Sequence, residues 1–178
     1  MNMNKLLLAM AFSSVLAAGA HAADDMGHGK ITFKGSVIDA PCSIDAKSLD
    51  QTIQLGAISK NQLAGGGKST PVPLNIQLHD CDSATANKAS ITFNGIAGDQ
   101  AAGLDGSFAV TGQGAGVGVV IADLGGKVIK PGVAADLAPM NSGDNELAFQ
   151  AYVQGSSASG AVTPGNFASV ANFMMTYQ

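Results

Sequence analysis

Apolar and polar positions alternate most regularly near the two ends of this chain. Residues 165–178, GNFASVANFMMTYQ, place Phe167, Ala171, Phe173, Met175 and Tyr177 on one parity and Ala168, Asn172 and Thr176 on the other. A period of two predicts a strand over residues 166–177. It would reach roughly 40 Å, well beyond the usual strand of about five or six residues, and no hairpin turn follows it. Such a strand is either paired on both sides or an edge awaiting a partner. Near the other end, Gly29, Ile31, Phe33, Gly35 and Val37 alternate with Lys30, Thr32, Lys34 and Ser36. This predicts a strand over residues 30–38, preceded by the polar, flexible stretch 24–28. It reads either as the first strand of a sandwich or as a strand that pairs with another molecule.

Between the ends, short β-patterned runs recur among Gly, Asn and Asp clusters. Strands are expected at 40–44, 51–55, 72–79, 89–93, 107–110, 117–122, 127–130 and 146–154. Gly125-Gly126 between VVIADL and KVIK signals a two-residue hairpin. Residues 57–63, AISKNQL, could form a turn or two of helix. Many short strands separated by turn signals make an all-β sandwich or barrel. There is no internal repeat, and no Pro/Ser linker divides the chain.

Residues 1–22 fall outside this domain. Lys5, the apolar run LLLAMAFSSVLAAGA and Ala20-His21-Ala22 form the three parts of a secretory signal peptide. Cleavage is expected after Ala22, with Ala23 as the competing site. Its removal leaves 156 of the 178 residues, with eight Lys, no Arg and thirteen Asp plus Glu, a formal net charge of −5. No basic cluster suggests nucleic acid. Cys42 and Cys81 are the only two cysteines, and in an exported chain such a pair reads as one disulfide. The closed loop of about 40 residues would contribute about 4 kcal/mol in the chain-entropy view. His79 lies near Cys81, but too few soft ligands surround it for a metal site.

Taken together, GKITFKGSVIDAPCSI (29–44), QTIQLGAISKNQLAGGG (51–67), PLNIQLHDCD (73–82) and GNFASVANFMMTYQ (165–178) resemble the major subunits, or pilins, of chaperone–usher fimbriae of the type 1 and P pilus family. The resemblance covers the chain after the signal peptide, and includes Gly165, the penultimate Tyr177 and the Cys42/Cys81 pair. It implies an incomplete immunoglobulin-like sandwich lacking its final strand. A periplasmic chaperone would lend a strand to the gap, and at the outer-membrane usher the N-terminal extension of a neighbouring subunit would replace it. Residues 23–38 would be that extension and 39–178 the pilin domain. Gly29, Ile31, Phe33 and Val37 would enter a neighbour's groove, and Gly165, Phe167, Ala171, Phe173, Met175 and Tyr177 would form the groove wall. Gly29 would sit where the groove has no room for a side chain. The product is a surface fimbria on a Gram-negative cell, with other copies and other fimbrial subunits as partners, and no cofactor or metal.

Other functions fit the residues less well. A catalytic constellation is not suggested by two remaining histidines. GQGAGVG (112–118) lacks the spacing and following helix of a phosphate loop and reads as a flexible loop or strand turn. A small outer-membrane barrel would carry aromatic girdles, whereas the exported chain has six Phe, two Tyr and no Trp. An adhesin would need an additional lectin domain, and a minor adaptor or tip subunit remains as an alternative to the rod.

Overall fold

The computed structural model describes residues 28–136 and 138–178; the expected signal peptide at 1–22 and residues 23–27 lie outside them. The chain divides into an N-terminal unit ending at Val37 and a body spanning Ile38–Gln178. Within the first unit, residues 28–37 adopt no strand, and Ile31 and Phe33 are 78% and 89% exposed. The strand expected over 30–38 is therefore absent from the isolated chain. A strand is a ladder of shared hydrogen bonds, and alternation alone supplies no partner.

The body begins with β1 (Ser43–Ile44), α1 (Ala46–Leu49), α2 (Lys60–Leu63) and a 3-10 turn at Ala64–Gly66. β2 (Val72–Cys81), β3 (Lys88–Asn94), β4 (Phe108–Ala109), β5 (Thr111–Gly112), β6 (Val117–Asp123) and β7 (Val128–Ile129) follow. The chain then forms β8 (Ala138–Pro139), β9 (Gly143–Gly155), β10 (Phe167–Ala168) and β11 (Asn172–Tyr177). One sheet runs β1-β2-β9-β6-β4, with β7 also on β6; a second runs β11-β3-β8; β10 and β5 form a small pair. All these pairings are antiparallel. Neither sheet closes on itself, as a barrel would require.

The two sheets form a sandwich because their alternating residues present apolar side chains inward. Leu74, Ile76 and Leu78 of β2, Leu147 and Phe149 of β9, and Ala89, Ile91 and Phe93 of β3 form the main core. Phe93 and Phe149 meet edge to face with centroids 5.4 Å apart, joining the sheets at a favoured aromatic geometry. A second cluster holds Leu63, Val117, Val153 and Val162. On the other face of the first sheet Tyr152 is buried with Val120 and Ala122, and the Lys68 ammonium lies 5.3 Å from its ring centre. The Cys42–Cys81 disulfide joins the residue before β1 to the end of β2.

Several expected elements differ. The strand expected at 40–44 contracts to β1, and residues 51–55 have no ladder partner. The helix expected over 57–63 begins only at Lys60, where the Ser59 hydroxyl accepts from the Asn61 N–H at 3.3 Å. The β6–β7 hairpin pairs Ala122 with Val128 and closes over three residues rather than two. Asp123 accepts from Gly126 N at 3.1 Å and donates to Lys127 O at 3.0 Å. Gly126, at φ 86°, takes the left-handed position of a bulged three-residue turn. The long terminal strand is broken at residues 169–171, which separate β10 from β11.

Candidate functional site

The site is built around an unpaired edge. β11 pairs with β3 from Asn172↔Asn94 to Tyr177↔Ala89, and among the described residues no strand lies on its other side. Gln178 and Lys88 exchange both main-chain bonds, at 2.9 and 3.0 Å. Alternate residues of an antiparallel strand point these groups to opposite sides, so Asn172, Met174 and Thr176 face β3. Phe173, Met175 and Tyr177 turn their N–H and C=O groups to the open side. The main-chain oxygens of Ile91 and Phe93, which accept from Ala135 and Gly132 at 2.8 Å, confirm this phase from the far edge of β3.

The same three residues turn their side chains inward, where they pack half-buried against the main core. Partial burial holds the Tyr177 phenol above its ordinary value, because the charged phenolate loses solvation there.

Residues 51–58 form the facing wall. Ile53 packs on the main core and Leu55 and Ile58 on the second cluster. Side chains rather than a ladder fasten the head of this wall to β2. The Ser48 hydroxyl accepts from Gln77 N at 3.0 Å, and Gln51 Nε2 donates to Asn75 O at 2.9 Å. Between the wall and the C-terminal segment opens a groove of about 1210 Å³, whose floor includes Leu74, Ile76, Phe93, Phe108, Val117 and Val119. Apolar residues of both sheets thus line a slot bordered by two unpaired backbones.

At the far end of the groove the chain changes partner. β10 leaves the sheet of β3 and pairs with β5, Phe167 opposite Gly112, while the Ser169 hydroxyl donates to Ala109 O at 2.8 Å. Gln113 N and Gly114 N both donate to Asn166 O, at 2.9 and 3.0 Å. Such close passage needs glycine. A Cβ at Gly114 would stand 2.7 Å from Gly165 O, and one at Gly165 would stand 2.6 Å from Gly114 N. Of the alternating glycines 112–118, Gly112 and Gly114 form the bare stripe over which residues 165–167 cross, whereas Gly116 lies against Ala161 O and Gly118 against Ser107 Oγ; residues 113–116 make the turn between β5 and β6.

Of the residues expected in the groove wall, Gly165, Phe167, Ala171 and Phe173 line it. Met175 and Tyr177 extend the same face along the core beyond the lining. The expected donor residues Gly29, Ile31, Phe33 and Val37 lie in the separate N-terminal unit, and a Cβ at Gly29 would meet nothing within 4 Å. Sequence reasoning missed Ile53, Leu55, Phe108 and Val162 as groove residues. The alternation of 51–55 was the available signal, but it marks a strand without saying which neighbour is missing.

The fimbrial protein family matches residues 31–178. The chain belongs to that family. It is 43% identical to the Fimbria A protein of Serratia marcescens and 41% identical to the Major MR/P fimbria protein of Proteus mirabilis, each match covering 100% of both chains. A solved chaperone–usher pilus, described for the basis of its rod uncoiling, contains a subunit 40% identical at TM-score 0.74, over 86% of this chain and 97% of that one. This pilin is a major structural subunit of the chaperone–usher type, with the immunoglobulin-like fold that lacks its last strand. Among its described residues no helix is long and apolar enough to cross a membrane.

Proposed function

We propose that this pilin polymerises by exchanging strands through the groove, with residues 23–38 of one copy entering the groove of the next. The carrying observation is the slot of about 1210 Å³ lying between the open edge of β11 and the ladder-free wall 51–58. An extended segment placed there would gain main-chain bonds on an exposed sheet edge and apolar pockets for alternate side chains. Within residues 29–37, Ile31 and Phe33 are the largest apolar side chains, and Gly29 and Val37 share their parity. Each large side chain buried in the slot would contribute roughly 1.5–3 kcal/mol.

A periplasmic chaperone would hold the same slot before assembly, and the usher would present the next subunit's extension. The contact is head-to-tail and does not close, so repetition gives an open filament. The role is structural rather than catalytic, and residues 39–178 act as the acceptor domain.

Expressing residues 23–178 in the periplasm with and without a cognate chaperone tests this reading. Accumulation should depend on the chaperone, and a synthetic peptide of residues 24–38 should displace it to give a stable, chaperone-free product. A soluble, well-folded monomer obtained alone would reject the proposal.

A further inference from the structure

His79, on the outward parity of β2, stands between two carboxylates. Its Nδ1 lies 2.9 Å from Asp144 Oδ1 at the start of β9, and its Nε2 lies 3.3 Å from Asp45 Oδ2. The ring nitrogens diverge, so the two carboxylates do not converge on a common point, and among the described residues no cluster is arranged to hold a metal. Ionised carboxylates only accept hydrogen bonds, and a neutral imidazole carries one N–H. Both contacts can be made together only by the doubly protonated ring.

Asp45 occupies a structurally sensitive position. It caps α1 through Lys47 N at 2.8 Å, its own N–H donates to Gln77 O at 3.0 Å, and it precedes the groove wall. Three side-chain links tie this stretch to β2: Gln51 to Asn75, Ser48 to Gln77, and Asp45 to His79. Only the last contains groups that titrate in the ordinary pH range. The charged groups around it are Asp45, which caps α1, Lys47 within α1 and Asp144 on β9; Glu146, the next carboxylate along β9, is engaged by the Gln77 amide.

We propose that His79 is a proton-dependent clasp that fastens the head of the groove wall to β2 and β9. Protonated, it bridges Asp45 and Asp144; on losing a proton it keeps one partner, and the longer contact, to Asp45, is released. The Cys42–Cys81 disulfide confines the loosening to the residues that follow Cys42.

The direction of the pH response follows from both partners. Hydrogen bonds to Asp144 and then Asp45 raise the His79 value above 6.5, so its contribution is complete below 6.5 and is lost as pH rises through the folded value. The Lys47 N–H and then His79 lower Asp45 below 3.8, so its contribution is complete above 3.8 and is lost as pH falls through the lower folded value. The clasp is closed from 3.8 to 6.5 and opens on the alkaline side.

Any consequence for assembly rests on the strand-exchange reading, but the clasp itself does not. Amide hydrogen exchange on assembled, full-length subunits reads it directly over residues 43–50, with 147–153 of β9 as the internal control. After correction for intrinsic exchange, protection of 43–50 should fall about two- to fivefold between about pH 5.5 and about pH 8.5, as suits a solvent-exposed ion pair. It should be independent of pH in His79→Gln. Asp144→Asn, which removes one partner and leaves the ring, should also flatten the response, and serves if the first variant does not assemble. Unchanged wild-type protection across this range, or an undiminished response in either variant, would overturn the clasp. Failure of strand exchange would leave this readout intact in the chaperone-bound subunit.

Discussion

At Gly165, one missing methyl decides where the C-terminal segment can run. Its φ of 155° and the 2.6 Å approach of a Cβ to Gly114 N both oppose a side chain. Gly165→Ala should therefore destabilise the strand-complemented subunit by about 1–3 kcal/mol, seen as a lower urea midpoint at unchanged slope. Tyr177 supplies a pH test at the same scale. Its folded value is raised above 10.0 by burial, so this contribution is intact below 10.0 and is lost as pH rises through the folded value. A strand in the groove that further desolvates the phenol should shift its tyrosinate absorbance titration to still higher pH; an identical titration with and without a donor peptide would deny that the strand reaches it. The inward side of Tyr177 was legible from its parity. The need for glycine at 114 was not, because the opposing backbone lies about fifty residues away in sequence.

At the scale of elements, β2, β3, β6 and β9 were legible to within a few residues because each has an inward and an outward face. Two-residue pieces such as β8 carry no period and could not be read. The terminal strand divides because its first part finds a better neighbour in β5 than in the sheet of β3. Residues 51–55 have the pattern of a strand yet no ladder, since the neighbour they would need is absent from the chain. The head of that wall depends on β2, to which the disulfide ties the preceding strand. Replacing Cys42 and Cys81 by Ser should cost about 4 kcal/mol for a loop of about 40 residues. Measured by steady-state periplasmic abundance, the double variant should be strongly depleted even with the chaperone present; wild-type abundance would show that the link is dispensable.

At the scale of the molecule, the sandwich has a long slot where a closed core would have a strand. An open edge of this kind invites pairing, which is a hazard for a monomer and the means of growth for a filament. On the proposed strand exchange, acceptance and donation would reside in different parts of the chain, so they should separate genetically. Deleting residues 23–37 after the signal peptide should leave chaperone binding intact, because the groove is untouched. The truncated subunit should cap fibres rather than extend them when co-expressed with wild type, shortening them in electron micrographs. Fibres of normal length containing the truncated subunit would place the donor strand elsewhere.

The sequence by itself determined the all-β class, the exported state, the cysteine pair and the two alternating ends, because periodicity and composition are local properties of the chain. Only the tertiary structure decided that β11 keeps one open edge, that its inward residues also carry the unpaired backbone, and that 51–58 forms the opposite wall. It also decided the crossing over the glycine stripe and the seating of His79 between Asp45 and Asp144. These are relations between segments distant in sequence, and a pairing partner, present or missing, is written in no single stretch of residues.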